Sequence, residues 1–284
     1  MNVGFVGLGK MGSPMASNIA AGGFDLRCFD AAGTAGRQPT GATAAESVAD
    51  LAASCDTMLL SVPDGAATLA VVEDIAEAAN RQVTTVIDLS TIGPQAARTA
   101  AERLAAVEVI YCDGPVSGGT AGARAATISL MFAGPPAVLE AHRALLSAFA
   151  GNVFHVGEAA GQGQTMKLVN NFLSATALAA ASEALALGEA HGLGLAAMLD
   201  VINASSGRNS ATVDKFPTRV VTGTYDAGFS TAHMTKDVAL FLSAASAAGT
   251  DVTVSSAVGE TWNGALAAMP DSDFTEIWKY VRDR

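Results

Sequence analysis

Charge is scarce in this 284-residue chain. Asp, Glu, Lys and Arg make up 15% of it, and the bases are the rarer sign, 16 against 27 acids. A net charge of −11 leaves no clustered bases for a phosphate backbone, so nucleic acid is excluded as a partner and the acidity serves solubility. Cysteine is nearly absent: Cys28, Cys55 and Cys112 lie far apart and form no CxxC. None has a histidine at ligand spacing. Cys28 and Cys112 fall in apolar strand-like runs, where a small buried hydrophobe is the natural role. The four histidines (His142, His155, His191, His233) share no ligand spacing, so no metal site is expected. His142 and His191 read as surface residues. No apolar run spans a bilayer, since the most apolar helix candidate, Ala175 to Leu187, is short and holds Glu183. The N-terminus enters a strand without a basic leader, so a cytoplasmic, reducing setting is expected.

What the chain has in plenty is small and apolar. Half of it is hydrophobic, 29 residues are glycine and about a fifth are alanine. That excludes disorder and points to closely packed helices. Strand-like runs at Val3–Gly7, Asp25–Asp30, Asp56–Val62, Thr84–Leu89 and Val107–Asp113 alternate with helical stretches such as Ser13–Ala21, Ala66–Ala79 and Pro94–Ala106. This alternation predicts right-handed βαβ crossovers and a mostly parallel sheet. Thr127–Gly134 and Val153–Val156 read as added edge strands. Beyond residue 163 the rhythm becomes helical: one long helix over Gln164–His191, then Leu195–Asn203, Thr231–Ala248 and Ser255–Met269. The expected fold class is α/β plus all-α. A doubly wound Rossmann domain (1–163) precedes a helical substrate and dimerisation domain (164–284), and a long interdomain helix joins them.

Gly7-Leu8-Gly9-Lys10-Met11-Gly12 matches GxGxxG between the first strand and first helix. Gly7 permits the tight turn, Gly9 lets the backbone approach a pyrophosphate, and Gly12 lets the helix pack on the strand. Asp30 closes the second strand, where a carboxylate accepts from both adenine-ribose hydroxyls and repels a 2′-phosphate. Ala31 and Ala32 follow, and Arg37 is not far on. NAD is therefore favoured over NADP.

The opening VGFVGLGKMGSPMASNIAAGGFDLRCFD resembles the β-hydroxyacid dehydrogenase family, which includes 3-hydroxyisobutyrate dehydrogenase and tartronate semialdehyde reductase. DLSTIGP (Asp88–Pro94), DGPVSGGTAGARAATISLMFAG (Asp113–Gly134), GQGQTMKLVNN (Gly161–Asn171) and MTKDVALFLSAA (Met234–Ala245) follow in the family's order and span nearly the whole chain. The resemblance implies an NAD-dependent oxidoreductase with its site between the two domains. It places Leu8, Met11, Val62, Pro63, Ala67 and Thr91 against the cofactor, and brings Lys236 to it from the helical half. It makes Ser117-Gly118-Gly119 the cradle of a substrate carboxylate. One departure is Ala126, where the family usually has glycine.

Lys167 and Asn171 stand four residues apart and share a helix face. The helix around them is mostly uncharged, and a lysine among apolar walls can be tuned toward general-base work. Read from the residues alone, Lys167 is a lysine snorkelling to the surface and Asn171 a polar residue of the helix surface; the resemblance makes Lys167 the proton-transfer group and gives the substrate to Asn171. Asp237 either positions its helix or is merely solvated. In NASSGRNS (Asn203–Ser210), Arg208 either meets a second anionic group or caps a helix. Asn209-Ser210 replaces the Cys-Trp that commonly follows in the family and favours a more hydrophilic substrate. The expected reaction interconverts a small anionic 3-hydroxy acid and its semialdehyde or keto acid; a tartronate semialdehyde reductase is the nearest alternative. An imine-reductase-like enzyme is disfavoured by Lys167, and a non-catalytic NAD-binding protein by the intact Lys167, Asn171 and Ser117-Gly118-Gly119 set. An alanine- and leucine-rich face on the long helix would be costly in a monomer, so a homodimer or homotetramer is expected.

Overall fold

The computed structural model describes residues 1–284, which fall into two compact units, Met1–Lys167 and Leu168–Arg284. In the first unit the chain runs β1 (Asn2–Val6), α1 (Gly12–Ala21), β2 (Asp25–Phe29), β3 (Thr43–Ala44), α2 (Val48–Ser54), β4 (Thr57–Leu60) and α3 (Gly65–Glu77). It continues through β5 (Thr85–Asp88), α4 (Pro94–Ala105), β6 (Ile110–Asp113), β7 (Val116–Ser117), α5 (Gly119–Arg124), β8 (Ile128–Ala133), α6 (Pro136–Ser147) and β9 (Ala150–Gly157). One sheet results, in the order β3-β2-β1-β4-β5-β6-β8-β7, with β9 paired to β8. The strands from β3 to β6 are parallel.

Strand periodicity builds two cores. Alternate side chains turn Val3, Phe5, Leu59, Ile87 and Cys112 to one face, under Met15 and Ile19 of α1 and Leu145 and Leu146 of α6. The intervening Val6, Met58, Leu60, Val86 and Tyr111 turn to the other, under Leu51 of α2, Val72 and Ile75 of α3, and Leu104 of α4. Burial on both faces explains why these strands read as unbroken apolar runs. It also pushes the Cys28 and Cys112 thiols up to about 12 and raises that of Cys55.

Two features depart from expectation. β8 is not an edge strand. The β6–β7 stretch runs antiparallel along one side of it, with Asp113 opposite Ala133, Val116 opposite Leu130 and Ser117 opposite Ser129. β9 lies parallel on its other side and forms the edge. A short β7 after the Gly114-Pro115 corner, too brief to show a pattern, supplies the extra partner. His142 is not at the surface either. It is 6% exposed, its Nε2 lies 2.8 Å from Thr57 Oγ1, and its Nδ1 lies 2.8 Å from the Val138 carbonyl. Both ring nitrogens are satisfied inside the core, which removes the penalty of burying them. His191 is exposed.

The helix α7 (Gln162–Ala190) carries the chain into the second unit, which continues with α8 (Leu195–Asn203), a π-helical segment (Ala211–Val220), α9 (Thr231–Ala247), α10 (Thr253–Ala268), a 3₁₀ turn (Phe274–Glu276) and α11 (Ile277–Arg282). Its core gathers Leu178, Leu185, Phe216, Val238, Trp262, Ile277 and Trp278. Trp262 is fully buried and its indole N–H donates to the Ala175 carbonyl at 3.3 Å. No helix is long and apolar enough to cross a membrane.

Candidate active site

The glycine-rich loop is fixed by contacts that a side chain would destroy. Gly7 has φ +94°, and a Cβ there would fall 2.3 Å from the Ser61 carbonyl oxygen. A Cβ on Gly12 would lie 1.9 Å from the Gly7 oxygen, so α1 leaves β1 by the closest backbone approach the turn permits. At Gly9 a Cβ would meet nothing within 4 Å. The middle glycine is thus free of any packing need, and its missing side chain leaves the backbone open to a ligand. No acid occupies the first turn of α1. These residues fit a dinucleotide pyrophosphate.

Asp30, at the end of β2, is wired to this loop. Its Oδ2 accepts from the Leu8 N–H at 2.7 Å and its Oδ1 from the Ala32 N–H at 2.8 Å. Arg37 pairs with Oδ1 at 3.3 Å. The carboxylate therefore holds the loop.

The remaining cofactor candidates of this unit follow the carboxyl ends of β4 and β5. Val62 donates its N–H to Ser90 Oγ at 2.9 Å, which ties the β4 end to the β5 end. Pro63 leads into Asp64, the N-cap of α3, which accepts from the Ala67 N–H at 2.9 Å. Thr91 follows Ser90 and is half-buried. At the far side, Gly118 (φ +132°) and Gly119 (φ +64°) turn the chain out of β7 after Ser117. Two successive positive-φ residues require glycine here.

Ala126 also lies in the left-handed region, at φ +55°. A Cβ there costs about 1–2 kcal/mol, partly offset by the lower unfolded-chain entropy of alanine, about 0.4–1 kcal/mol. Ala126→Gly is expected to stabilise the protein by about 0.5–1 kcal/mol, read as a higher denaturation midpoint at unchanged slope.

Lys167 is 7% exposed. This departs from a lysine snorkelling to solvent. Upstream of it, the first turn of α7 is anchored by Asp113, whose Oδ1 accepts from Gly161 N–H and Oδ2 from Gln164 N–H, each at 2.7 Å. Burial pushes the Asp113 carboxyl up to about 6 against the pull of those amides, with the neighbouring Asp88 raising it further. Burial likewise raises Asp88, which accepts from the Thr68 and Tyr111 hydroxyls and from the Ser90 N–H.

In the helical unit, Asn171, Asp237 and Lys236 form one cluster. Asn171 is 7% exposed and Asp237 3%. Asn171 Nδ2 donates to Asp237 Oδ2 at 2.6 Å, and Lys236 Nζ pairs with Asp237 Oδ1 at 3.2 Å. Asp237 is therefore not a solvated acid; it holds both residues. Asn209 turns inward to local structure: its Oδ1 accepts from the Ala211 and Thr212 N–H groups and its Nδ2 donates to the Gly207 carbonyl. Those bonds cap the π-helical segment, so the polarity of Asn209 has a local use and is no longer an argument for a hydrophilic substrate. Arg208 is exposed and makes no ion pair.

Gln164, Asp113 and Asp88 carry no role legible from spacing: they stand in the segments Gly161–Asn171, Asp113–Gly134 and Asp88–Pro94, but their partners lie up to 74 residues away.

Two family models match the chain: the NAD binding domain of 6-phosphogluconate dehydrogenase over residues 2–157, and the NAD-binding domain of NADP-dependent 3-hydroxyisobutyrate dehydrogenase over residues 161–281. Among curated relatives, a probable 3-hydroxyisobutyrate dehydrogenase of Mycobacterium tuberculosis is 33% identical over 290 residues, covering 99% of this chain and 98% of the relative. An NAD-dependent L-serine dehydrogenase of Pseudomonas aeruginosa is 36% identical over 264 residues, covering 89% and 88%. The solved structure of Mycobacterium tuberculosis 3-hydroxyisobutyrate dehydrogenase with L-serine aligns at a TM-score of 0.90 and 32% identity, over 99% of both chains. The chain belongs to the β-hydroxyacid dehydrogenase family of NAD(P)-dependent oxidoreductases.

Proposed function

We propose that the protein interconverts a short 3-hydroxy acid and its semialdehyde or keto acid, with NAD preferred to NADP and Lys167 as the proton carrier. The observation that carries this reading is the burial of Lys167, on a helix turn anchored to the carboxyl edge of a dinucleotide-type sheet. When bound, the nicotinamide supplies the hydride acceptor or donor. The backbone of Gly7, Leu8, Gly9, Met11 and Gly12 holds the pyrophosphate, and Asp30 the adenine ribose. Val62 and Pro63 touch the cofactor, Ala67 lies near it, and Thr91 approaches its nicotinamide side. Ser117, Gly118 and Gly119 offer a hydroxyl and two unobstructed amides to the substrate carboxylate, fixing the hydroxyl carbon by its neighbour. In oxidation the Lys167 amine takes the hydroxyl proton, and in reduction the ammonium returns it to the carbonyl oxygen. The family pattern gives the substrate hydroxyl to Asn171 and a cofactor contact to Lys236; Asp237 is the residue that holds both. The preference for NAD rests on Asp30, whose charge opposes a 2′-phosphate.

Leu173, Leu187, Leu193 and Val201 are exposed apolar side chains of the helical unit or of the helix leading into it. Their exposure supports a homo-oligomer, dimer or tetramer, that covers them. The decisive assay offers 3-hydroxyisobutyrate, serine, glycerate and 3-hydroxypropionate with each cofactor and follows nicotinamide reduction. Turnover with at least one acid, faster with NAD, is the expected result. No turnover with any of them would overturn the substrate class, and equal or faster rates with NADP would overturn the cofactor preference.

A further inference from the structure

Gln164 makes more polar contacts than its place in a helix calls for. The side chain is fully buried. Its Oε1 accepts from the Ile92 N–H at 2.9 Å and the Gly93 N–H at 3.2 Å, and its Nε2 donates to the Ser90 carbonyl at 2.9 Å. One amide thus closes the loop Ser90–Gly93, which contains Thr91. Its own backbone N–H is held by Asp113 at the end of β6. Ser90 in turn reaches the end of β4 through Val62 and is held by Asp88. A continuous hydrogen-bonded path therefore joins the ends of β4, β5 and β6 to the helix turn that carries Lys167, three residues on from Gln164.

The seat of that turn has no slack. A Cβ on Gly163 would lie 2.5 Å from the Met131 carbonyl oxygen and 2.8 Å from that of Asp113. One on Gly161, at φ +93°, would lie 2.9 Å from the Pro94 oxygen. The helix therefore rests directly on backbone, and sliding it would break the Gln164 and Asp113 bonds together.

We propose that Gln164 is a positioning residue, whose side-chain amide locks the Thr91 loop to the first turn of α7 and so fixes the placement of Lys167. The proposal rests on the reading of Lys167 as the proton carrier. Gln164→Glu separates this role from mere structural filling. As a neutral acid, glutamate keeps both functions, its carbonyl oxygen accepting from Ile92 and Gly93 and its hydroxyl donating to Ser90. Once ionised it sets an oxygen against the Ser90 oxygen. The kcat of this variant, relative to the unsubstituted enzyme, is expected to fall about 10–100-fold from acidic to alkaline pH, the scale of a small misplacement of a reacting group. Cofactor Kd is expected to stay within about threefold.

Hydrogen exchange supplies a readout without turnover. In Gln164→Leu, or in alkaline Gln164→Glu where the leucine variant does not fold, the Gln164 and Thr165 amides should exchange about tenfold faster, although their own acceptors, Asp113 and Gly161, are untouched. Unchanged exchange there would overturn the coupling. Faster exchange with kcat flat across pH would overturn the positioning role. An unsubstituted enzyme inactive on every hydroxy acid would strike the proposed reaction instead, and the exchange result would still decide the coupling.

Discussion

Lys167→Met is expected to lower turnover by about 10²–10⁴-fold, the span that a positioned proton-transfer group contributes. The methionine keeps most of the apolar stem of a side chain that is 7% exposed and removes only the amine, so packing changes little. Cofactor affinity, measured by quenching or by calorimetry, should stay within about threefold because the phosphate loop is untouched. A second variant, Lys167→Ala, leaves a space. Small primary amines added to it are expected to restore part of the rate, a response that a structural lysine would not give. Retained turnover in either variant would remove Lys167 from proton transfer.

Gly12→Ala is the second large effect. The added Cβ would stand 1.9 Å from the Gly7 carbonyl oxygen and 3.2 Å from the Phe5 ring. The first neighbour is backbone, in the turn that Gly7 itself sustains at φ +94°, so it has no rotamer to give. Overpacking of this kind costs about 3 kcal/mol or more, a large share of the roughly 5–15 kcal/mol that holds a domain together. Loss of soluble protein, or a midpoint far below the parent, is expected. Gly9→Ala makes the contrast. Its Cβ has nothing within 4 Å, so stability should stay within about 0.5 kcal/mol. On the proposed reading the methyl stands where the pyrophosphate approaches, and Kd for the dinucleotide should rise about 10–100-fold, roughly 1.4–2.7 kcal/mol. If Gly9→Ala binds as the parent does, the loop is not the phosphate site.

How far the fold could be read in advance followed from how local its causes are. The parallel strands were legible because burial on two faces leaves unbroken apolar runs, and α8 at Leu195–Asn203 because its pattern and ends are local. The π-helical segment Ala211–Val220 was not legible: Pro217 inside it reads as a breaker, and no common side-chain period matches its turn. His142 looked like a surface residue because its partner Thr57 lies 85 residues away. The glycine loop announced itself through residue types that the turn cannot do without. Gln164 and Asp113 work through partners distant in sequence, as Asp237 does toward Asn171, so no spacing rule picks out these contacts. Lys167 stood out by charge in an uncharged stretch, but its burial belonged to the folded chain.

The placement of two rare residue types gives each unit its own spectroscopic voice. All three thiols, Cys28, Cys55 and Cys112, are buried in the sheet unit with ionisation suppressed, so a thiol reagent attacks them only when that unit opens. Both tryptophans, Trp262 and Trp278, are buried in the helical unit, so indole emission follows that unit alone. Followed side by side in a denaturant titration, the two signals show whether the units come apart in one transition or in two, with no label added to the chain.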